Sequence, residues 1–261
     1  MRVVIERDYT AVSLRAADFV EGLLRRKPDA VLGLATGSTP LGLYQELIRR
    51  HREQGLDFSN VTTFNLDEYC GLQPSHPHSY SYFMYQNLFD HLNIPQSQVN
   101  IPSGTAHDVD AWCEDYERRI REAGGIDLQI LGIGGDGHIA FNEPGSSLAS
   151  RTRPKTLTSE TIRDNARFFG PDEEVPKFAV TMGVGTILDA KMCVIMASGD
   201  SKAAIWAQAI EGPVTAQVTA SALQLHPHVV ALCDEKAAQY LKRREYYEHV
   251  ERVSEEFAKH R

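Results

Sequence analysis

Cysteine is scarce in this chain. Only Cys70, Cys113, Cys193 and Cys233 occur in 261 residues, and no two form a C-x-x-C pair. That spacing gives no disulfide framework and no cysteine cluster for a metal, so buried, reduced thiols in a cytoplasmic protein are expected. Long apolar runs are missing as well. The N-terminus "MRVVIERDYT" reads as a first strand with charges inside it, and neither a signal peptide nor a membrane span is expected. Basic residues are the minority, with 27 Lys and Arg against 35 Asp and Glu and a net charge of -8. An acidic chain argues against a nucleic-acid surface but not against one small anion, which a few cations and backbone N–H groups can hold. The sequence has no internal repeat, no low-complexity segment and no linker-like change of composition, so residues 1–261 read as a single domain.

What is present is alternation. Apolar runs at 30–36, 61–69, 126–134, 177–185, 191–199 and 228–235 read as strands, most of them nearly continuous in apolar character. Such runs belong to strands covered on both faces. Helical patterns fall between and around them at 10–27, 40–54, 80–92, 109–123, 201–211 and 236–259. The expectation is an α/β, single-domain, Rossmann-like open and mostly parallel sheet with helices on both faces. In such sheets ligands bind beyond the carboxyl ends of the strands, where strand order reverses. Residues that follow strands therefore carry the functional reading.

After the strand at 30–36 comes "ATGSTPLGLY". Gly37, the Ser38 and Thr39 hydroxyls and the free N–H groups of a helix opened by Pro40 make a phosphate cradle, or simply a Ser/Thr cap. The loop lacks the G-K-[ST] ending of a nucleotide P-loop. At a strand's carboxyl end, after residues 61–66, "NLDEYCGL" sets Asp67 beside Glu68. Neighbours on an extended backbone point to opposite sides, so only one of them is expected to face a site, and an acid capping the next turn is the plain alternative. The segment "LGIGGDGHIAFNEPGSS" contains G-x-G-x-x-G. Pro144 and Gly145 stop any long helix there, which makes a dinucleotide turn a poor fit. The glycines instead allow the backbone to curl so that Asp136, His138 and Glu143 converge, a histidine oriented by carboxylates for acid–base work. In "SGDSKAAIW", Ser201 is expected to cap a helix with Lys202 in its first turn, a place where a cation is unfavourable unless an anion joins it. The polar stretch 150–169 has the look of a mobile lid from which Arg167 could reach that anion. His76 with His78, and His226 with His228, lack matching ligands, and no H-E-x-x-H occurs, so no metal is expected.

Taken together, "LGLATGSTPLGLY", "FNLDEYCGL", "HPHSYSYFM", "LGIGGDGHIAFNEPGSSLASRTR", "VPKFAVTMGVGTILDA" and "LQLHPHVVALCDE" resemble the glucosamine-6-phosphate deaminase family in order and over nearly the whole chain. The resemblance implies a cofactor-free isomerisation and deamination of D-glucosamine 6-phosphate in amino-sugar catabolism. It implies that His138 opens the sugar ring, Asp136 and Glu143 hold that imidazole, and Asp67 removes the C2 proton. It places the phosphate on Gly37, Ser38 and Thr39 with Arg167 and Lys202, and the lid at about 156–176. Some members are hexamers activated by N-acetylglucosamine 6-phosphate; the matching positions here are Ser146, Ser147, Arg153 and Lys155. Tyr246 or Tyr247 stands near the place of a further tyrosine of that site, and the tail "EHVERVSEEFAKHR" departs from the activated members. A 6-phosphogluconolactonase, which needs no base at C2, is the nearest rival, and a non-catalytic sugar-phosphate sensor is another.

Overall fold

The computed structural model describes residues 1–170 and 173–258. In chain order the elements are β1 (Arg2–Glu6), α1 (Tyr9–Arg26), β2 (Val31–Leu34), α2 (Leu41–Gln54), β3 (Thr62–Asn65), β4 (Asp67–Tyr69), α3 (Tyr80–Asn87), β5 (Val99–Asn100) and α4 (Val109–Glu122). They continue with β6 (Leu128–Leu131), β7 (Arg153–Thr156), α5 (Ser159–Asn165), β8 (Phe178–Thr181), α6 (Val184–Leu188), β9 (Cys193–Ala197), α7 (Ala203–Glu211), β10 (Val229–Asp234) and α8 (Arg244–Ala258).

Seven strands form one parallel sheet in the order β1-β10-β9-β6-β2-β3-β5. From β2 the chain steps outward through β3 to β5, then returns to place β6 on the other side of β2 and steps outward again through β9 and β10. The reversal point thus lies between β2 and β6, where the two following loops diverge and leave a crevice. Side chains along each strand alternate between two cores. Val4, Leu32, Leu34, Ile130 and Met196 pack on one face with Val12, Ala16 and Ala17 of α1 and Leu43 and Tyr44 of α2. Val3, Val31, Phe64, Leu131 and Ile195 pack on the other with Tyr116 and Ile120 of α4 and Trp206 of α7. The near-continuous apolar strands follow from this double cover. β1 sits at the sheet edge, where its charges belong, and Arg2 there pairs with Glu251 of α8.

Local chemistry sets the helix ends. Asp8 and Asp108 cap α1 and α4 by accepting from Ala11 N–H (2.8 Å) and Ala111 N–H (3.0 Å), and Arg25 and Arg26 complement the C-terminal end of α1. No helix among the described residues is long and apolar enough to cross a membrane. Cys113, Cys193 and Cys233 are buried free thiols and Cys70 is half-buried and free.

The structure departs from the sequence reading in several places. The run 61–69 is two strands: after β3 the chain leaves the main sheet at Leu66, whose N–H donates to Leu34 O (3.1 Å) and whose carbonyl accepts from Met182 N–H (2.7 Å). β4 then joins a separate antiparallel sheet of order β4-β8-β7. The polar stretch read as a loop contains β7 and α5. The helix expected over 236–259 starts only at Arg244, and residue 259 lies outside the described residues, as do residues 171 and 172 of the lid segment.

Candidate active site

The loops after β2 and β6, the start of β4, the segment around α5 and the head of α7 enclose a cavity of about 430 Å³. That volume suits a small polar metabolite. Gly37, Ser38 and Thr39 line it, together with His138, Arg167 and Lys202. Gly37 has φ +92°, a left-handed conformation that only glycine adopts without strain. The Tyr9 hydroxyl fixes this loop from behind: its one proton lies between the carbonyls of Ser38 and Thr39 (3.1 Å each), and it accepts from Gly42 N–H (2.8 Å).

Asp67 lines the same cavity and is 6% exposed. No donor among the described residues bonds its carboxylate. Burial, with the Glu68 carboxylate adjacent, pushes its pKa up to about 8. Glu68 points the other way and accepts from the N–H groups of Tyr69 (2.8 Å), Tyr80 (2.9 Å) and Ser81 (2.8 Å). Burial raises this carboxyl to about 7 against the pull of those three donors. The two readings of the acidic pair therefore both apply, one to each residue: Asp67 faces the cavity and Glu68 caps the start of α3.

The glycine loop after β6 brings three groups together. His138 Nδ1 lies 2.7 Å from Asp136 Oδ1 and 3.7 Å from Glu143 Oε2. Asp136 Oδ1, which makes the nearer contact, also accepts from the His138 backbone N–H (3.1 Å), so one carboxylate oxygen meets both groups of this residue. Burial raises the Asp136 carboxyl, but the imidazole and nearby N–H groups outweigh that and hold it below the usual range. Gly134 is required here: a Cβ at that position would fall 2.4 Å from the His138 ring. Ala140, also on the cavity wall, has φ +50°, a conformation uncommon for alanine and a local strain held by its surroundings. The three ligand atoms of Asp136, His138 and Glu143 lie within 4.8 Å of one another. An imidazole flanked by two carboxylates is placed for acid–base work.

Lys202 donates to Ile133 O (2.8 Å) and lines the cavity, and burial lowers its pKa. The expected cap by Ser201 is absent. Asp200–Lys202 form a tight 3-10 turn, so α7 begins at Ala203 with no side-chain cap. From the lid region, α5 and the turn after it contribute Thr161, Asp164, Asn165 and Arg167 to the wall. The reading of the sequence named only Arg167 of these. A signal for the rest was available: Thr158 followed by Glu160 is a helix start, and Thr158 caps α5 by accepting from Thr161 N–H (3.2 Å).

Of the four residues matched to an activator site, Ser146 is buried with its hydroxyl unpartnered, and Ser147 is exposed and accepts from Ala149 N–H (3.2 Å). Arg153 donates to Asn142 Oδ1 (3.0 Å), and Lys155 follows two positions on along β7. Tyr247 donates to Glu211 (3.1 Å) and Tyr246 is exposed.

Comparison with known proteins matches residues 8–232 to the family described as glucosamine-6-phosphate isomerases/6-phosphogluconolactonase. The chain is 52% identical over 255 residues to the glucosamine-6-phosphate deaminase of Cellvibrio japonicus (strain Ueda107), covering 98% of this chain and 97% of that protein. It is 54% identical over 249 residues to that of Arthrobacter sp. (strain FB24), covering 95% and 96%. Among solved structures, a monomeric glucosamine-6-phosphate deaminase superposes with a TM-score of 0.90 at 45% identity, over 93% of this chain and 100% of that one. The 6-phosphogluconolactonase of Trypanosoma cruzi superposes with a TM-score of 0.72 at 20% identity, over 92% and 97%, a likeness of fold alone.

Proposed function

This chain belongs to the glucosamine-6-phosphate isomerase/6-phosphogluconolactonase family, and on that premise we propose how its cavity carries out the deaminase reaction. The protein is an enzyme that converts D-glucosamine 6-phosphate and water to D-fructose 6-phosphate and ammonia. Gly37, Ser38 and Thr39 hold the phosphate through backbone N–H groups and hydroxyls, with Lys202 and Arg167 supplying charge. His138, held by Asp136 and Glu143, moves the proton that opens the pyranose ring. Asp67 takes the C2 proton of the open chain, giving an enolamine that is reprotonated at C1. The resulting C2 imine adds water and releases ammonia, so all atoms of the overall reaction are accounted for.

One observation carries this reading: a buried carboxylate without hydrogen-bond donors among the described residues, Asp67, facing the cavity that His138 also lines. Lactone hydrolysis has no use for a base at C2, and a sensor has no use for either group. Burial strengthens Asp67 as a base by removing the water that stabilises its anion. The segment 156–176 acts as the lid. A cytoplasmic enzyme fits the free thiols.

The test is an assay for ammonia and fructose 6-phosphate without added metal or nucleotide. Asp67→Asn should still bind substrate phosphate, lose at least a thousandfold in kcat and lose exchange of the C2 proton with solvent. Normal exchange in that variant would move the base elsewhere.

For regulation, we infer that Ser146, Ser147, Arg153 and Lys155 can take N-acetylglucosamine 6-phosphate, in an assembly of several subunits. The support is the side-by-side placement of Arg153 and Lys155 on β7 and the unpartnered Ser146 hydroxyl. Lower substrate demand in the presence of that ligand, with a multimer in sedimentation, supports this; an unchanged rate curve and a monomer rule it out.

A further inference from the structure

We propose that Thr158 is a positioning residue that ties the lid helix α5 to the catalytic imidazole through Glu143. The inference rests on the roles given above to His138 and Glu143 and adds one to a residue on a different element. Glu143 is 1% exposed, and among the described residues its carboxylate takes both of its hydrogen bonds from Thr158. The Thr158 N–H donates to Oε1 (3.1 Å), and the hydroxyl lies 3.3 Å from Oε2, the oxygen that faces His138 Nδ1 at 3.7 Å. A hydroxyl has one proton to give. With that proton on Glu143, the Thr158 oxygen accepts from Thr161, whose N–H and hydroxyl both lie 3.2 Å away. Thr161 is on the cavity wall. The chain of contacts therefore runs from the cavity through the first turn of the lid helix to the carboxylate beside the imidazole.

Two consequences follow from elementary electrostatics. Donation by Thr158 spreads the Glu143 charge and fixes its orientation, so the imidazole feels a constant field. Removing the hydroxyl leaves that charge more concentrated on the oxygen facing Nδ1 and frees the carboxylate to turn, so the field at the imidazole changes. The groups facing His138 include Asp136 and Glu143 of its own loop, with Asp67, Asp164, Arg167 and Lys202 on the same cavity wall. Of these, Glu143 is the one hydrogen-bonded to Thr158.

The experiment compares Thr158→Ser, Thr158→Val and Thr158→Asp by kcat, KM and the pH profile of kcat/KM, with thermal melts to confirm folding. Aspartate at 158 can still cap α5 by accepting from Thr161 N–H, but it cannot donate to Glu143 and adds a like charge beside it. Serine keeps both functions and should stay within about twofold of the parent with the same pH profile. Valine and aspartate should lower kcat about tenfold or more and displace the pH profile of kcat/KM from that of the parent. If aspartate behaves like serine, or if valine changes only KM and melting temperature, Thr158 is a cap and nothing more, and the inference fails. Should the aspartate variant not fold, the serine–valine pair decides alone. Full turnover by His138→Asn would instead overturn the role given to His138, a result distinct from a flat Thr158 series.

Discussion

Gly134 and His138 stand four positions apart, and the space between them is set by an absent methyl group. A Cβ on Gly134 would meet the ring at 2.4 Å, so Gly134→Ala should displace the imidazole while leaving the fold near its parent stability. The expected result is a loss of at least a hundredfold in kcat with a melting temperature within a few degrees. Full activity would show that the ring has room to move. At this scale the sequence was informative for the loop and mute for the acids. G-x-G-x-x-G could be separated from a nucleotide turn because Pro144 and Gly145 follow it, a local signal. Which of Asp67 and Glu68 faces the cavity depends on a change of sheet at Leu66, and both sides of that change are equally strand-like. Thr158 went unnoticed because its partner Glu143 lies 15 residues away and meets it only through β7 and the turn before α5.

Elements that bury one face against a neighbour were legible, and those held by distant partners were not. β2, β9 and β10 are wholly buried and read as apolar runs. β7, "RPKT", has no apolar alternation to give it away and exists because it pairs with β8 at the edge of the small sheet. The late start of α8 has a similar cause: Glu211 accepts the N–H groups of Lys242 (2.8 Å) and Arg243 (2.9 Å) from across the molecule. Glu68 caps α3 in the same way, and it also repels Asp67. Glu68→Gln should therefore have two effects. Losing a charged acceptor for the first N–H groups of α3 should cost about 1–3 kcal/mol in denaturant unfolding. Removing the neighbouring charge should lower the Asp67 pKa, moving the acid limb of kcat/KM to lower pH. An acid limb that stays in place would mean that the Glu68 charge does not reach the base.

For the whole molecule, the raised Asp67 pKa makes stability depend on pH. The folded state holds this proton up to about pH 8, whereas an unfolded chain releases it near 3.8, the ordinary value of an aspartate. The folded state therefore binds more protons between those values, and stability falls as pH rises until the folded carboxyl has also ionised near 8. Asp67→Asn removes this dependence. Its melting temperature should exceed that of the parent by several degrees at pH 9, with a smaller gap at pH 5; a gap independent of pH would place the carboxyl near its ordinary value.

The passage of one strand from the main sheet to the small one at Leu66 has a last consequence. The phosphate loop and Lys202 belong to the parallel sheet, while Asp67 and, through β7, the lid belong to the antiparallel one. In the proposed mechanism the spacing between the two sheets then acts as a ruler for the substrate, gauging how many carbons separate the phosphate from the proton to be removed. A five-carbon amino-sugar phosphate would seat its phosphate and leave its C2 hydrogen short of the carboxylate.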